Sequence, residues 1–233
     1  MKITILGAGA LGSLFGGLLA RSGHDVTLYN RSHLEHVRMI RERGLTIEAA
    51  EGEFSVRVRA TSAVSELEPP DLAAIFVKAY ATRQVIHETR SLLQSVPWVM
   101  SLQNGVGLEE LILEQVPLER FLRGTTSHGA TLLSPGRVRW AGKGLTYLGR
   151  WRDAPTPEVQ SIVAAFERAG LVAHLSPNPE EQVWRKLIIN SAINPLTALF
   201  SVPNGDLLTD PVLHELGEAV TRESVAVARA RGF

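Results

Sequence analysis

Apolar and polar positions along most of the chain fall into short runs that suit strands, separated by longer stretches with helical spacing. Ile3 to Leu6 is an apolar run that passes straight into Gly7-Ala8-Gly9-Ala10-Leu11-Gly12 and then into a helical pattern. Asp25 to Tyr29 predicts a second strand where a βαβ unit needs it. Leu45 to Ala49 and Phe54 to Arg59, around Glu51-Gly52, predict a hairpin, and Leu72 to Val77 and Val99 to Gln103 predict buried strands. Helices are expected near Leu108 to Gln115 and over Glu158 to Ala169, extended segments around Val138 to Trp140 and Leu145 to Leu148, and a closing strand over Leu171 to Leu175. After the linker Ser176-Pro177-Asn178-Pro179 the pattern is helical, including Val212 to Arg229. This alternation predicts an α/β protein with a first domain over residues 1–176 and an all-helical second domain over 177–233.

The glycine run is G-x-G-x-x-G between a strand and a helix, the context of a Rossmann-type dinucleotide site in a doubly wound sheet. Gly7 permits the tight turn, Gly9 lets the backbone approach a pyrophosphate, and Gly12 allows close packing of the helix. The helix N-terminus supplies amides and the positive end of the dipole, and Ala8, Ala10 and Leu11 complete the cofactor-binding run. The strand that follows ends in Asn30-Arg31, where an NAD site commonly keeps a carboxylate. Arg31 suits a 2′-phosphate, which favours NADP(H), although it also precedes a helix marked by the capping box Ser32-x-x-Glu35.

Lys186, Asn190 and Asn194 recur every fourth position through the apolar stretch Val183 to Ala198 and share one helix face. A buried ammonium or amide is costly without a partner, so this stripe reads as the wall of a wet pocket. A lysine reaching outward beside two amides satisfied in the core gives the same pattern. The chain has only four lysines against 20 arginines, and lysine, unlike arginine, exchanges a proton readily. Pro195 predicts a kink beside Asn194. Lys78 and Asn104 follow predicted strands and so border the ligand crevice of an open parallel sheet. His128, among small polar neighbours, is either an acid or base or a histidine satisfied by a hydroxyl or carbonyl.

Composition narrows the classes. With 45% hydrophobic residues, 233 positions can bury a real core, and the absence of cysteine fits a cytoplasmic protein without disulfides. Equal numbers of acidic and basic residues give no global attraction to nucleic acid or an anionic membrane. The apolar run after Lys2 imitates a signal peptide, but its five glycines suit a nucleotide-binding turn better.

Taken together, Gly7 to Gly12, Arg31, Lys78-Ala79, Asn104-Gly105, Gly124-Thr125-Thr126-Ser127-His128 and Trp184-Arg185-Lys186-Leu187 with Asn190, Asn194-Pro195-Leu196-Thr197-Ala198 and Pro203-Asn204-Gly205 resemble the ketopantoate reductase family over nearly the whole chain. The resemblance implies NADPH-dependent reduction of 2-dehydropantoate to pantoate on the route to coenzyme A. It implies that Lys186 is the general acid, that Asn190, Asn194 and Asn204 hold the substrate, and that Asn104 lies where cofactor and substrate meet. Arg31, Lys78 and Ala130 match cofactor-contact positions. No metal enters this expectation, and a homodimer is compatible with it. Family members continue past the position of Phe233 with helices carrying a serine and a glutamate, so the second domain is expected to be incomplete. Two alternatives stay open: an NADP(H)-binding sensor or inactive shortened reductase, and a reductase of another branched 2-oxo acid.

Overall fold

The computed structural model describes all 233 residues. The predicted opening unit is formed by β1 (Lys2–Leu6), α1 (Ala10–Arg21) and β2 (Asp25–Tyr29), followed by α2 (Leu34–Arg43), β3 (Leu45–Ala49), β4 (Gly52–Val56) and β5 (Arg59–Thr61). The chain continues through β6 (Leu72–Ile75), α3 (Thr82–Glu88), α4 (Arg90–Ser95), β7 (Trp98–Ser101), α5 (Leu108–Leu113) and β8 (Phe121–Thr126). Next come β9 (Gly129–Ser134), β10 (Arg137–Gly142), β11 (Thr146–Arg150), α6 (Pro157–Arg168) and β12 (Ala173–Leu175). Three helices close it: α7 (Pro179–Phe200), α8 (Asp206–Thr209) and α9 (Pro211–Ala230).

The main sheet has eight strands in the order β12-β11-β8-β7-β6-β1-β2-β5. The six strands from β8 to β5 are parallel, whereas β11 runs antiparallel to β8 and carries β12 parallel to itself. From β1 the chain winds first toward β2 and later toward β6, so the topological switch lies between β1 and β6, where such sheets open a ligand crevice. Side chains alternate between two buried faces. Ile3, Ile5, Leu72 and Ala74 pack with Leu14 and Phe15 of α1 and Phe166 of α6. Leu6, Ala73, Ile75 and Val99 pack with Val85 of α3, Leu93 of α4 and Ile112 of α5. Burial on both faces is why these strands read as unbroken apolar runs.

A second sheet, β4-β3-β10-β9, lies across α1. A Cβ on Gly16 would stand 2.4 Å from Leu28 of the main sheet, and one on Gly17 would stand 2.6 Å from Ile47 of the second. Two adjacent glycines thus let α1 fit between two sheets. The second arm of the expected hairpin serves both of them: β4 pairs with β3, but Arg59–Thr61 crosses to β2. Ala60 belongs to the main core, and Arg59 bonds Asp25 at 2.6 Å.

The expected capping box at Ser32 is replaced by an Asn30 turn. Helix α2 starts at Leu34 with no side-chain cap, because the Asn30 carboxamide oxygen already accepts the Ser32 and His33 amides at 3.0 Å each. His36 on α2 is buried and latches three elements. Its Nδ1 accepts the Gly136 amide at 2.9 Å, which leaves Nε2 to donate to Ser13 of α1 at 2.9 Å. Burial, helped slightly by the charge of His33, lowers its pKa to about 4.

Helix α7 begins with Asn178 accepting the Glu181 amide and stays helical through Pro195 to Phe200. Asp210 caps α9 through the Val212 and Leu213 amides. Leu196, Leu207 and Leu213 make a small core among these helices, while Ile189, Leu199, Leu208 and Val212 stay exposed. No helix is long and apolar enough to cross a membrane.

Candidate active site

The ends of β1 and β6 meet at the switch point, where the Phe76 amide bonds the Leu6 carbonyl at 2.8 Å. Gly7 turns at φ +109°, a left-handed geometry that favours glycine, and a Cβ there would meet the Val77 backbone at 2.5 Å. A Cβ on Gly12 would lie 2.3 Å from the Gly7 carbonyl oxygen, whereas one on Gly9 would meet nothing within 4 Å. The turn is therefore closed against protein at Gly7 and Gly12 and open at Gly9. Gly9 starts α1 without a side-chain cap, so the first amides of the helix, at Ala10 and Leu11, face that open side unclaimed by any cap. This cradle fits a pyrophosphate.

Beyond β2, the Asn30 carboxamide donates to the Ala8 carbonyl at 2.9 Å and so ties the glycine turn to the next strand end. Arg31 forms an ion pair with Glu88, the last residue of α3. The Glu88 carboxylate also accepts Gln84 Nε2 at 2.9 Å and the Tyr29 hydroxyl at 3.3 Å. Lys78, just past β6, is exposed and makes no ion pair. Ala130 is half-buried in β9, which packs on α1.

Asn104 is exposed in the turn between β7 and α5, with left-handed Gly105 and Gly107 after it. Arg123 of β8 holds that turn from beneath. Its side chain is 0% exposed, and its guanidinium donates to the carbonyls of Gln103 at 2.9 Å and Gly105 at 2.8 Å, on either side of Asn104. It also bonds the Ser101 and Gly124 carbonyls, and its Nε donates to buried Glu109 at 2.6 Å. Gln103 passes the constraint on, since its Nε2 donates to the Val77 carbonyl at 2.7 Å and to Thr82 at 2.8 Å. The Asn104 turn and the Lys78 turn are thereby fixed to each other.

Lys186 reaches β8 from α7, and its ammonium donates to the Thr126 carbonyl. No carboxylate lies within ion-pair distance of it. Burial, and after it the charge of Arg123, holds this ammonium below the ordinary lysine range. Along the same face Asn190 is half-buried and Asn194 exposed; Asn204 is exposed in the turn before α8. None of these three side-chain amides has a protein partner.

His128 is buried beside Phe15 and Trp140. Its partners are donors rather than the expected hydroxyl or carbonyl: Nδ1 accepts Trp140 Nε1 at 3.2 Å and the Gly144 amide at 3.1 Å. Burial holds its pKa below the ordinary histidine range, and with both donors on Nδ1 its buried Nε2 has no hydrogen-bond partner in the protein. Sequence reading passed over Arg123, Glu109, Gln103 and Glu88. A single arginine inside the apolar strand Phe121 to Thr126 was the available signal; Glu88 on an ordinary helix end gave none.

Two family models match the chain: one described as Ketopantoate reductase PanE/ApbA over residues 3–153, and its C-terminal counterpart over residues 178–233. The 2-dehydropantoate 2-reductase of Pyrococcus abyssi is 38% identical over 233 residues, covering 100% of this chain and 75% of that protein. The one from Halobacterium salinarum is 37% identical, with 100% and 76% covered. Among solved structures, 2-dehydropantoate 2-reductase from Geobacter metallireducens GS-15 superposes with a TM-score of 0.93 at 30% identity, covering 100% of this chain and 76% of that one. A D-mandelate dehydrogenase bound to NADH and anilino(oxo)acetate superposes with a TM-score of 0.92 at 31% identity, covering 100% and 75%.

Proposed function

The chain belongs to the ketopantoate reductase family, and we infer from that premise how its own residues carry out NADPH-dependent reduction of 2-dehydropantoate to pantoate. NADPH supplies the hydride when bound. Lys186 protonates the ketone oxygen as negative charge develops there, and its positive charge stabilises that charge until the proton is passed. The observation that carries this role is a half-buried lysine engaged only by a backbone carbonyl, with no carboxylate to neutralise it and a pKa lowered by burial. Such an ammonium is a stronger acid than an exposed one.

Gly7, Ala8, Gly9, Ala10, Leu11 and Gly12 form the pyrophosphate cradle in this reading, Arg31 and Lys78 are the cations available to the 2′-phosphate, and Ala130 flanks the cofactor. Asn190, Asn194 and Asn204, whose amides lack protein partners, hold the hydroxyl and carboxylate of the substrate. Asn104, set by Arg123 at the crevice, serves the junction of cofactor and substrate. Residues 1–176 act as the cofactor domain and 177–233 as the catalytic helices, a division supported by the separate family matches. We place the enzyme in the cytoplasm as a homodimer; light scattering on the purified chain checks the latter.

The test is NADPH oxidation with 2-dehydropantoate beside a panel of other 2-oxo acids. Turnover preferring 2-dehydropantoate is expected. Preference for another branched 2-oxo acid would favour the second reading, a reductase of that substrate, which the superposition with the D-mandelate dehydrogenase complex supports. NADPH binding without turnover of any panel member would sink the reductase role for this chain.

A further inference from the structure

Glu88 takes no part in the mechanism above, yet it pairs with Arg31, one of the two cations assigned to the 2′-phosphate of the cofactor. Its side chain is 20% exposed, against 56% for Arg31, so the carboxylate is the fixed member and the arginine the movable one. Gln84 and Tyr29 each donate to the carboxylate, and both donors remain if Arg31 swings away. Tyr29 ends β2, so the carboxylate stands beside the strand end where an NAD site keeps its acidic residue, delivered here from α3. A 2′-phosphate brings a second anion to the same guanidinium and meets repulsion from Glu88; a ribose hydroxyl meets an acceptor instead.

We propose that Glu88 is a positioning residue for cofactor choice: it holds Arg31 in competition with the 2′-phosphate, so that NADPH is bound less tightly than Arg31 alone would allow and NADH is accepted beside it. This rests on the reading of Arg31 as the partner of the 2′-phosphate. The NADH-bound D-mandelate dehydrogenase of the same fold accords with a scaffold that accepts either dinucleotide.

The experiment is direct titration of NADPH and of NADH, followed by nicotinamide fluorescence, into the full chain and its Glu88→Gln, Arg31→Ala and doubly substituted forms. Glu88→Gln keeps the shape and loses the charge. It should tighten NADPH by about 1.5-fold to fivefold, the range of a partly exposed ion pair, while NADH stays level or weakens. The gain should shrink when Arg31 is absent. Glu88→Ser should move the NADPH to NADH ratio in the same direction, which covers a glutamine variant that folds poorly. An unchanged or falling ratio in both variants, with Arg31→Ala still selective against NADPH, overturns the role of Glu88. An equal gain in the Arg31→Ala background also overturns it, because Glu88 would then act by general charge. Equal loss of both cofactors in Arg31→Ala removes the underlying reading of Arg31, and the proposal with it.

Discussion

Lys186 is half-buried and His36 buried, both away from counter-charge, and burial acts on them in ways that pH can separate. In the proposed mechanism it is the protonated form of Lys186 that acts. Its lowered pKa means that kcat should fall with rising pH before an ordinary lysine would lose its proton, because activity is lost as pH climbs through the folded-state pKa. Lys186→Ala should reduce kcat by roughly a hundredfold to ten-thousandfold while NADPH binding changes little; loss confined to binding would remove the lysine from the chemistry. His36 is neutral when folded, with a pKa of about 4 against 6.5 for the free side chain. Between these values the unfolded chain binds more protons, so its contribution is complete above about pH 6.5 and disappears as pH falls toward about 4. Urea unfolding across that window should show stability falling with acidity in the wild type and a flatter profile in His36→Gln. Lys186 was legible because scarce lysine and two amides interrupt an apolar helix at one spacing. His36 was not, since its partners Ser13 and Gly136 come from distant parts of the chain.

At the level of elements, the glycine turn separates two kinds of constraint within six residues. Gly12→Ala places a methyl group against the Gly7 carbonyl oxygen, so α1 must shift off β1; a loss of about 1–3 kcal/mol is expected from thermal or urea unfolding. Gly9→Ala meets open space at φ −83°, so stability should hold while NADPH affinity drops, measured by calorimetry. A stability loss at Gly9 equal to that at Gly12 would contradict the open cradle. The motif was readable because strand, turn and helix are contiguous. The division of residues 52–61 between two sheets was not, because an alternating run looks the same whichever sheet it joins, and only the burial of Ala60 in the main core decides it. The reversed direction of β11 and β12 escaped for a similar reason: periodicity carries no sign.

In the whole molecule, β8 is shared ground. Arg123 grips the Asn104 turn from it, and Lys186 touches its end from the helical part. Arg123→Met would strand the buried Glu109 carboxylate and several carbonyls, with an expected cost of about 3–5 kcal/mol in urea unfolding. Adding Glu109→Gln should recover part of that loss, and failure to recover any would locate the cost elsewhere. The Lys186 contact sits about a third of the way along α7, a helix roughly 33 Å long at 1.5 Å per residue. The helix packs on β8 and β11, and its Glu180 pairs with Arg152 beside the sheet, whereas Leu199 near the other end is exposed. Lys186 thus stands on the stretch of helix nearer the sheet, and Asn190 and Asn194 on the stretch that leads away from it.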